Sequence, residues 1–138
     1  VGAPYLVKPN IHELTEYIGK PVVSFSDKKQ AAEKLIALGI EHVLLSEGED
    51  GVLWFSRDNI VKVNSPQVPL KSTVGAGDTL LASFVFALKN YADDAAKQLS
   101  FATASAAYSV TEQGVAHLDF QKISKLMQQC QCEITAQS

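Results

Sequence analysis

The chain has 138 residues, 46% of them hydrophobic, which is enough for one buried core and leaves no room for a second independent domain. Its 12 Lys and Arg against 15 Asp and Glu give a net charge of -3, and no basic block or arginine–aromatic interleaving tracks a phosphate backbone, which argues against nucleic acid as a partner. No run approaches the roughly 18 apolar residues of a membrane span, and the start VGAPYLVKPN lacks the layout of a signal peptide. We therefore expect a soluble, cytoplasmic protein with no membrane partner.

The apolar run Tyr5-Leu6-Val7 begins almost at the first residue, Val1, and reads as a strand entered from preceding sequence, so we expect a truncated chain. Residues 5 to 8 form that strand, ended by Pro9, which pushes its predecessor toward extended backbone. Asn10 then suits an N-cap, with Glu13 three residues on completing a capping box; Leu14, Tyr17 and Ile18 continue the apolar face until Gly19. Ser26 or Asp27 is expected to cap a second helix that runs to about Leu38 and stops at Gly39. The run His42 to Ser46 (HVLLS) reads as a central strand covered on both faces, and strand, helix, strand in this order points to a parallel α/β unit. Gly51 to Ser56 and Asn59 to Asn64 read as a hairpin turning at Arg57-Asp58. Pro66 and Pro69 punctuate a loop, after which helices are expected from Ala76 to near Asn90, from about Ala92 to Val110, and from about Phe120 to Gln129.

The segment Ser72-Thr73-Val74-Gly75-Ala76-Gly77-Asp78-Thr79 carries the strongest chemical signal. Its glycines let successive backbone N–H groups point at one anion, and the helix that follows adds its partial positive charge, which together make a phosphate seat. Asp78 in the first helical turn has two readings. It complements the helix dipole, worth about 0.3–1 kcal/mol, or it is a general base that takes the proton of a hydroxyl attacking phosphorus; the spacing favours neither. The Walker pattern is absent, since Gly77 is followed by Asp-Thr with no lysine in the equivalent place. Cys130 and Cys132 fit neither a disulfide framework nor zinc spacing and read as incidental thiols in a reducing compartment. His12, His42 and His117 include no pair with zinc-ligand spacing and read as surface or structural residues; Trp54 reads as a packing residue.

The stretch Thr73-Val74-Gly75-Ala76-Gly77-Asp78 resembles the C-terminal signature of the ribokinase-like, or PfkB-type, carbohydrate kinases. Asn10-Ile11-His12-Glu13 is similar to that family's NxxE element, and Ser46-Glu47-Gly48-Glu49-Asp50-Gly51 to its SxGxxG turn. The resemblance covers essentially the whole chain. It implies an α/β fold, the C-terminal half of a three-layer α/β/α domain with a parallel sheet, an edge hairpin and C-terminal helices. Residues 1–138 would be the nucleotide-binding and catalytic part, with the sugar site and lid in an N-terminal half not among them. The resemblance further implies Asp78 as catalytic base, the amides of Gly75, Ala76 and Gly77 as anion hole, and Asn10 and Glu13 as holders of Mg²⁺. Ser46, Gly48 and Gly51 would border ATP, and Ala104 and Ser105 would wall its adenine. For Asn10 and Glu13 a capping box is the plain alternative, for Ser46, Gly48 and Gly51 a tight connection into the hairpin, and for Ala104 and Ser105 an Ala-rich packing helix.

Many relatives carry Asp at the place of Ser72, where it can assist a monovalent cation; with Ser there, the resemblance does not carry cation activation over to this chain. The variant Ser-Thr-Val-Gly-Ala-Gly-Asp with Lys8-Pro9-Asn10 is more similar to the phosphosugar branch, and there to 1-phosphofructokinases, which implies fructose 1-phosphate as acceptor and fructose 1,6-bisphosphate as product. Tagatose 6-phosphate, or another sugar or nucleoside, is the alternative acceptor, and a catalytically silent nucleotide-binding module is the alternative of another class. A homodimer is one assembly open to the full-length protein.

Overall fold

Two helices start by the same four-residue device. In the computed structural model, which describes residues 5–47, 50–65, 76–92, 94–111 and 120–136, strand β1 (Leu6–Val7) leads through Pro9 to helix α1 (Ile11–Ile18). Asn10 Oδ1 accepts the Glu13 N–H at 2.8 Å while Glu13 Oε1 accepts the Asn10 N–H at 3.0 Å, so two amides that no helical carbonyl can reach are both satisfied. The helix closes at Gly19, whose φ of 82° is left-handed. Helix α2 (Phe25–Ala37) repeats the device, with Ser24 as cap rather than Ser26 or Asp27. Ser24 Oγ accepts the Asp27 N–H at 3.1 Å, and Asp27 Oδ2 accepts the N–H groups of Ser24 at 3.0 Å and Val23 at 3.1 Å. Those amides, Ser24 first and then Val23, hold the Asp27 carboxyl below the usual carboxylate range. Asp27 is the third helical residue answering Ser24, so the helix begins earlier than expected.

Strands β2 (His42–Ser46), β3 (Val52–Ser56), β4 (Asn59–Val63) and β5 (Cys132–Ala136) join β1 in one sheet of order β1-β2-β3-β4-β5. Two expectations are corrected here. The sheet is mixed: only β1 and β2 run parallel, with Leu6 opposite His42 and Val7 opposite Val43. The other three pairings are antiparallel, as the Arg57-Asp58 turn requires of β3 and β4. The hairpin is also not at the edge, because β5 returns from the end of the chain to pair with β4, placing Ile134 opposite Val61 and Glu133 opposite Lys62. That cross-strand pair of opposite charges supports the register of the outer strand.

Alternation along the inner strands feeds two cores. On one face Val43, Leu45, Leu53, Phe55 and Ile60 pack with Leu14 of α1 and Ala31 and Ala32 of α2. On the other, Leu44, Val52, Trp54, Val61 and Val63 pack with Leu80 and Phe84 of α3 (Ala76–Asn90) and Leu99 and Ala102 of α4 (Ala95–Thr111). Helices thus cover both faces, as the apolar run of β2 requires. A third cluster, Ala87, Phe101, Ala104, Tyr108 and Ile123, ties α5 (Phe120–Met127) onto α3 and α4. Phe55, Phe84 and Phe101 are among the wholly buried side chains, each worth roughly 1.5–3 kcal/mol of burial. No helix among the described residues is long and apolar enough to cross a membrane.

Both cysteines are free and half-buried. Cys130 Sγ–H donates to the Leu126 carbonyl at 3.6 Å, and burial, with a smaller contribution from Cys132, pushes the Cys130 thiol up to about 11. Only the thiolate is nucleophilic. Alkylation of Cys130 by iodoacetamide at pH 8 is therefore expected to run about 10-fold slower than for a thiol at its ordinary value of 9.0, the smaller thiolate fraction being partly offset by the greater nucleophilicity of a more basic thiolate; mass spectrometry of quenched time points measures it.

Candidate active site

The parallel pairing of β1 and β2 fixes where the motifs meet. The chain leaves both strands at the same end of the sheet, so Asn10 with Glu13 after β1, and Ser46 at the end of β2, belong to one edge. Val52 lies opposite Ser46 and Val63 opposite Val52, so Gly51, just before β3, and the exit from β4 share that edge. Ligands of α/β folds gather in the crevice outside such carboxyl ends. The next described residue after Ser65 is Ala76, which opens α3, with Gly77 second and Asp78 third. Asp78 is exposed in that first turn. Gly48 and Gly75, with Ser72, lie outside the described residues.

Gly51 is a glycine for a reason inside the fold. Its φ is 102°, and a Cβ there would lie 2.0 Å from the Val63 carbonyl oxygen, 2.7 Å from Asn64 Cα and 2.9 Å from the Ser65 amide nitrogen. Its own carbonyl accepts the Glu47 N–H at 2.8 Å, and the Glu47 carbonyl accepts the Asp50 N–H at 3.1 Å. Glu47 is further clipped to α2 by an ion pair with Lys28, both side chains largely shielded. The turn between β2 and β3 is thus bound to β4 on one side and α2 on the other. This clip was not foreseen, because 19 residues separate its partners and no local spacing announces it.

Asn10 and Glu13 are both exposed and present a hard, all-oxygen donor set. Asn10 Oδ1 and Glu13 Oε1 are engaged in the cap, in which Glu13 Oε2 takes no part. One carboxylate oxygen fits a hydrated Mg²⁺, a cation that keeps most of its waters and takes few protein ligands. No group of three or more His, Cys, Asp or Glu side chains comes together as a metal cluster among the described residues. The capping function has its own test: Asn10→Ala is expected to lower unfolding stability by about 1 kcal/mol while Asn10→Ser leaves it nearly unchanged, read by urea denaturation.

Ala104 and Ser105 are not brought to this edge by any contact described. Ala104 is wholly buried among Ala87, Phe101, Tyr108 and Ile123, where a packing role accounts for it. Ser105 is also wholly buried, and its Oγ, like Thr103 Oγ1, finds no partner among the described residues. An unpaired buried hydroxyl costs about 1–3 kcal/mol, so these two atoms are places where a polar partner would be gained at little expense.

Known proteins share this sequence pattern and fold. The model of the pfkB family carbohydrate kinases matches residues 1–122. The chain is 36% identical to 1-phosphofructokinase of Vibrio cholerae over 128 residues, 93% of this chain and 40% of that protein. It is 34% identical to 1-phosphofructokinase of Escherichia coli K12 over 126 residues, 91% of this chain and 40% of that one. Among solved structures, phosphofructokinase-2 of Escherichia coli in complex with substrates and products superposes with a TM-score of 0.81 at 26% identity, covering 92% of this chain and 41% of that one. Ribokinase of Arabidopsis thaliana complexed with ribose and ATP superposes at 0.78 with 29% identity, covering 88% and 40%. The chain spans about two fifths of the length of the curated relatives it matches.

Proposed function

The chain belongs to the pfkB family of carbohydrate kinases, and from that premise we propose that residues 1–138 form the nucleotide-binding and catalytic part of a cytoplasmic kinase that transfers phosphate from ATP to fructose 1-phosphate. In this reading the chain is the C-terminal part of a three-layer ribokinase-like domain, and the sugar site and lid come from residues outside these 138. The observation that carries the catalytic assignment is the exposed Asp78 carboxylate in the first turn of α3, next to the glycine stretch. The substrate class rests on relatives named 1-phosphofructokinase at 34–36% identity over more than nine tenths of the chain.

The chemistry follows from charge. As the 6-hydroxyl oxygen of fructose 1-phosphate attacks the γ-phosphorus, its O–H bond becomes acidic and Asp78 takes the proton, while the bond to ADP breaks. The amides of Gly75, Ala76 and Gly77, with the α3 N-terminus, neutralise the charge spreading over the phosphoryl oxygens, as backbone donors at a helix N-terminus can. Mg²⁺, when bound, supplies further positive charge to the phosphates, and Glu13 with Asn10 would hold its water shell. Ser46, Gly48 and Gly51 border the nucleotide; the buried Ala104 and Ser105 pack inside α4 and its neighbours, and nothing described supports an adenine contact from them.

A substrate panel on the full-length protein tests this. Fructose 1-phosphate is expected to give the highest kcat/KM among fructose 1-phosphate, fructose 6-phosphate, tagatose 6-phosphate, ribose and a nucleoside, and the 138-residue chain alone is expected to give no turnover. Preference for another acceptor would move the substrate assignment. Absence of transfer to every acceptor, with nucleotide still bound, would favour a silent nucleotide-binding module.

A further inference from the structure

His42 opens β2 and joins four elements. Trp54 of β3 donates its indole Nε1–H to His42 Nδ1 at 3.1 Å, and His42 Nε2 lies 3.0 Å from the Tyr5 hydroxyl, just before β1. An indole nitrogen only donates, so Nδ1 holds the lone pair and the neutral ring carries its proton on Nε2, which donates to Tyr5. The Tyr5 carbonyl also accepts the backbone N–H of His42 at 3.1 Å. Around the imidazole the rings interlock: Tyr5 stands edge-on at 4.8 Å, and Trp54 meets Phe84 of α3 at 4.8 Å with an interplanar angle of 80°. Phe84 lies 5.9 Å from the imidazole and is wholly buried.

We propose that His42 is a positioning residue that seats α3 on the sheet through Trp54 and Phe84, and that it does so only as the neutral imidazole. A second proton would turn Nδ1 into a donor facing the Trp54 N–H, and two donors cannot share a hydrogen bond. Trp54 would lose its acceptor, and the ring that braces Phe84 would lose the bond that orients it. The surroundings offer an imidazolium little compensation. Among the described residues, Glu41, adjacent in sequence, is the charged group that acts on it; the residue before β1 is Tyr5, β3 brings Trp54 and Ser56, and α3 brings Phe84. Burial accordingly holds the ring below the ordinary histidine value, against a smaller upward pull from Glu41. The sign follows: the unfolded chain binds this proton first, so the contribution to stability is complete above about 6.5 and declines as pH falls from there through the lower folded value.

The seat itself does not depend on the kinase assignment, but its effect on catalysis does, because α3 carries Asp78 in its first turn. Trp54 is the single tryptophan of these 138 residues, so in the full-length protein the emission difference between wild type and Trp54→Phe isolates it. Titrated from pH 8 to pH 5, that difference is expected to show one transition with its midpoint below 6.5, lost in His42→Gln, whose amide supplies an acceptor and a donor without titrating. The acid limb of kcat/KM is expected to share that midpoint in wild type and to shift or vanish in His42→Gln. Imidazole ¹⁵N shifts of labelled wild-type protein at pH 7.5 need no variant, and they should show a lone pair on Nδ1 and a proton on Nε2. The opposite tautomer, or a Trp54 transition unchanged in His42→Gln, would overturn the proposal. If the Trp54 transition behaves as expected and no acceptor is phosphorylated, the kinase reading fails and the seat stands. If turnover is robust and His42→Gln shifts neither profile, the seat fails and the kinase reading stands.

Discussion

Asp78→Asn in the full-length protein should lower kcat by about 10²–10⁴-fold while nucleotide affinity stays within about threefold of wild type, the range expected when a general base is lost. Asparagine keeps the size and one acceptor oxygen of the carboxylate but cannot take a proton. The side chain is exposed at the start of α3, so the exchange opens no cavity and strands no buried charge. The competing reading makes a different forecast. If Asp78 only complements the helix dipole, the variant loses about 0.3–1 kcal/mol of stability and retains its turnover. Initial rates at saturating ATP and acceptor, with nucleotide affinity by calorimetry, separate the two, and unchanged turnover would remove Asp78 from the chemistry.

The second large effect is expected at Gly51. Gly51→Ala should destabilise the protein by roughly 3 kcal/mol or more, because left-handed strain and overpacking add at one atom. All three close neighbours of the added Cβ are backbone atoms of residues 63 to 65, so no rotamer change relieves it; the end of β4 must move. Gly19 is the matched control. Its φ of 82° is also left-handed, yet nothing lies within 4 Å of an added Cβ, and Gly19→Ala should cost only about 1–2 kcal/mol. Urea unfolding of both variants tests the contrast, and equal losses would mean that the approach to Val63 is not what constrains Gly51. Since the same turn is assigned to the nucleotide, a weakened nucleotide affinity should accompany the Gly51 change.

Elements were legible where the information is local. Asn10 and Glu13 sit three residues apart, and Gly19 follows an apolar face, so α1 could be bounded to a residue. The hairpin announced itself through two alternating runs around Arg57-Asp58. Ser24 does not stand out in the sequence because Ser26 and Asp27 compete for the same role within three residues, and the choice depends on which amides end up in reach. β5 could not be read because Cys132–Ala136 leaves Ile134 half exposed and follows a polar stretch; its strand character comes from pairing with β4. The sheet is mixed before β5 joins it, because β3 turns back against β2 and β4 against β3; the strand–helix–strand order of β1, α2 and β2 speaks only for the one parallel pair.

At the candidate site, the glycine-rich segment nominates Asp78 from sequence and the structure shows it exposed in the first turn of α3, while the partners that hold the neighbouring turn are not legible in sequence. Lys28 and Glu47 are 19 residues apart, and Tyr5 and His42 are 37 apart. Only the fold brings them together. Sequence could nominate Gly51 from its motif, but the reason for a glycine there, the Val63 carbonyl, belongs to the three-dimensional arrangement.

The division of β3 between two cores has a corollary for how the protein finds its native pairing. Leu53 and Trp54 are consecutive yet serve opposite helical layers. A slip of one position against β2 would push the indole into space shaped for leucine beneath α1 and α2, and leave the Phe84 side underfilled. Wrong alignments are therefore penalised twice, once in each layer, and the hairpin carries its own proofreading in the size difference between two adjacent side chains.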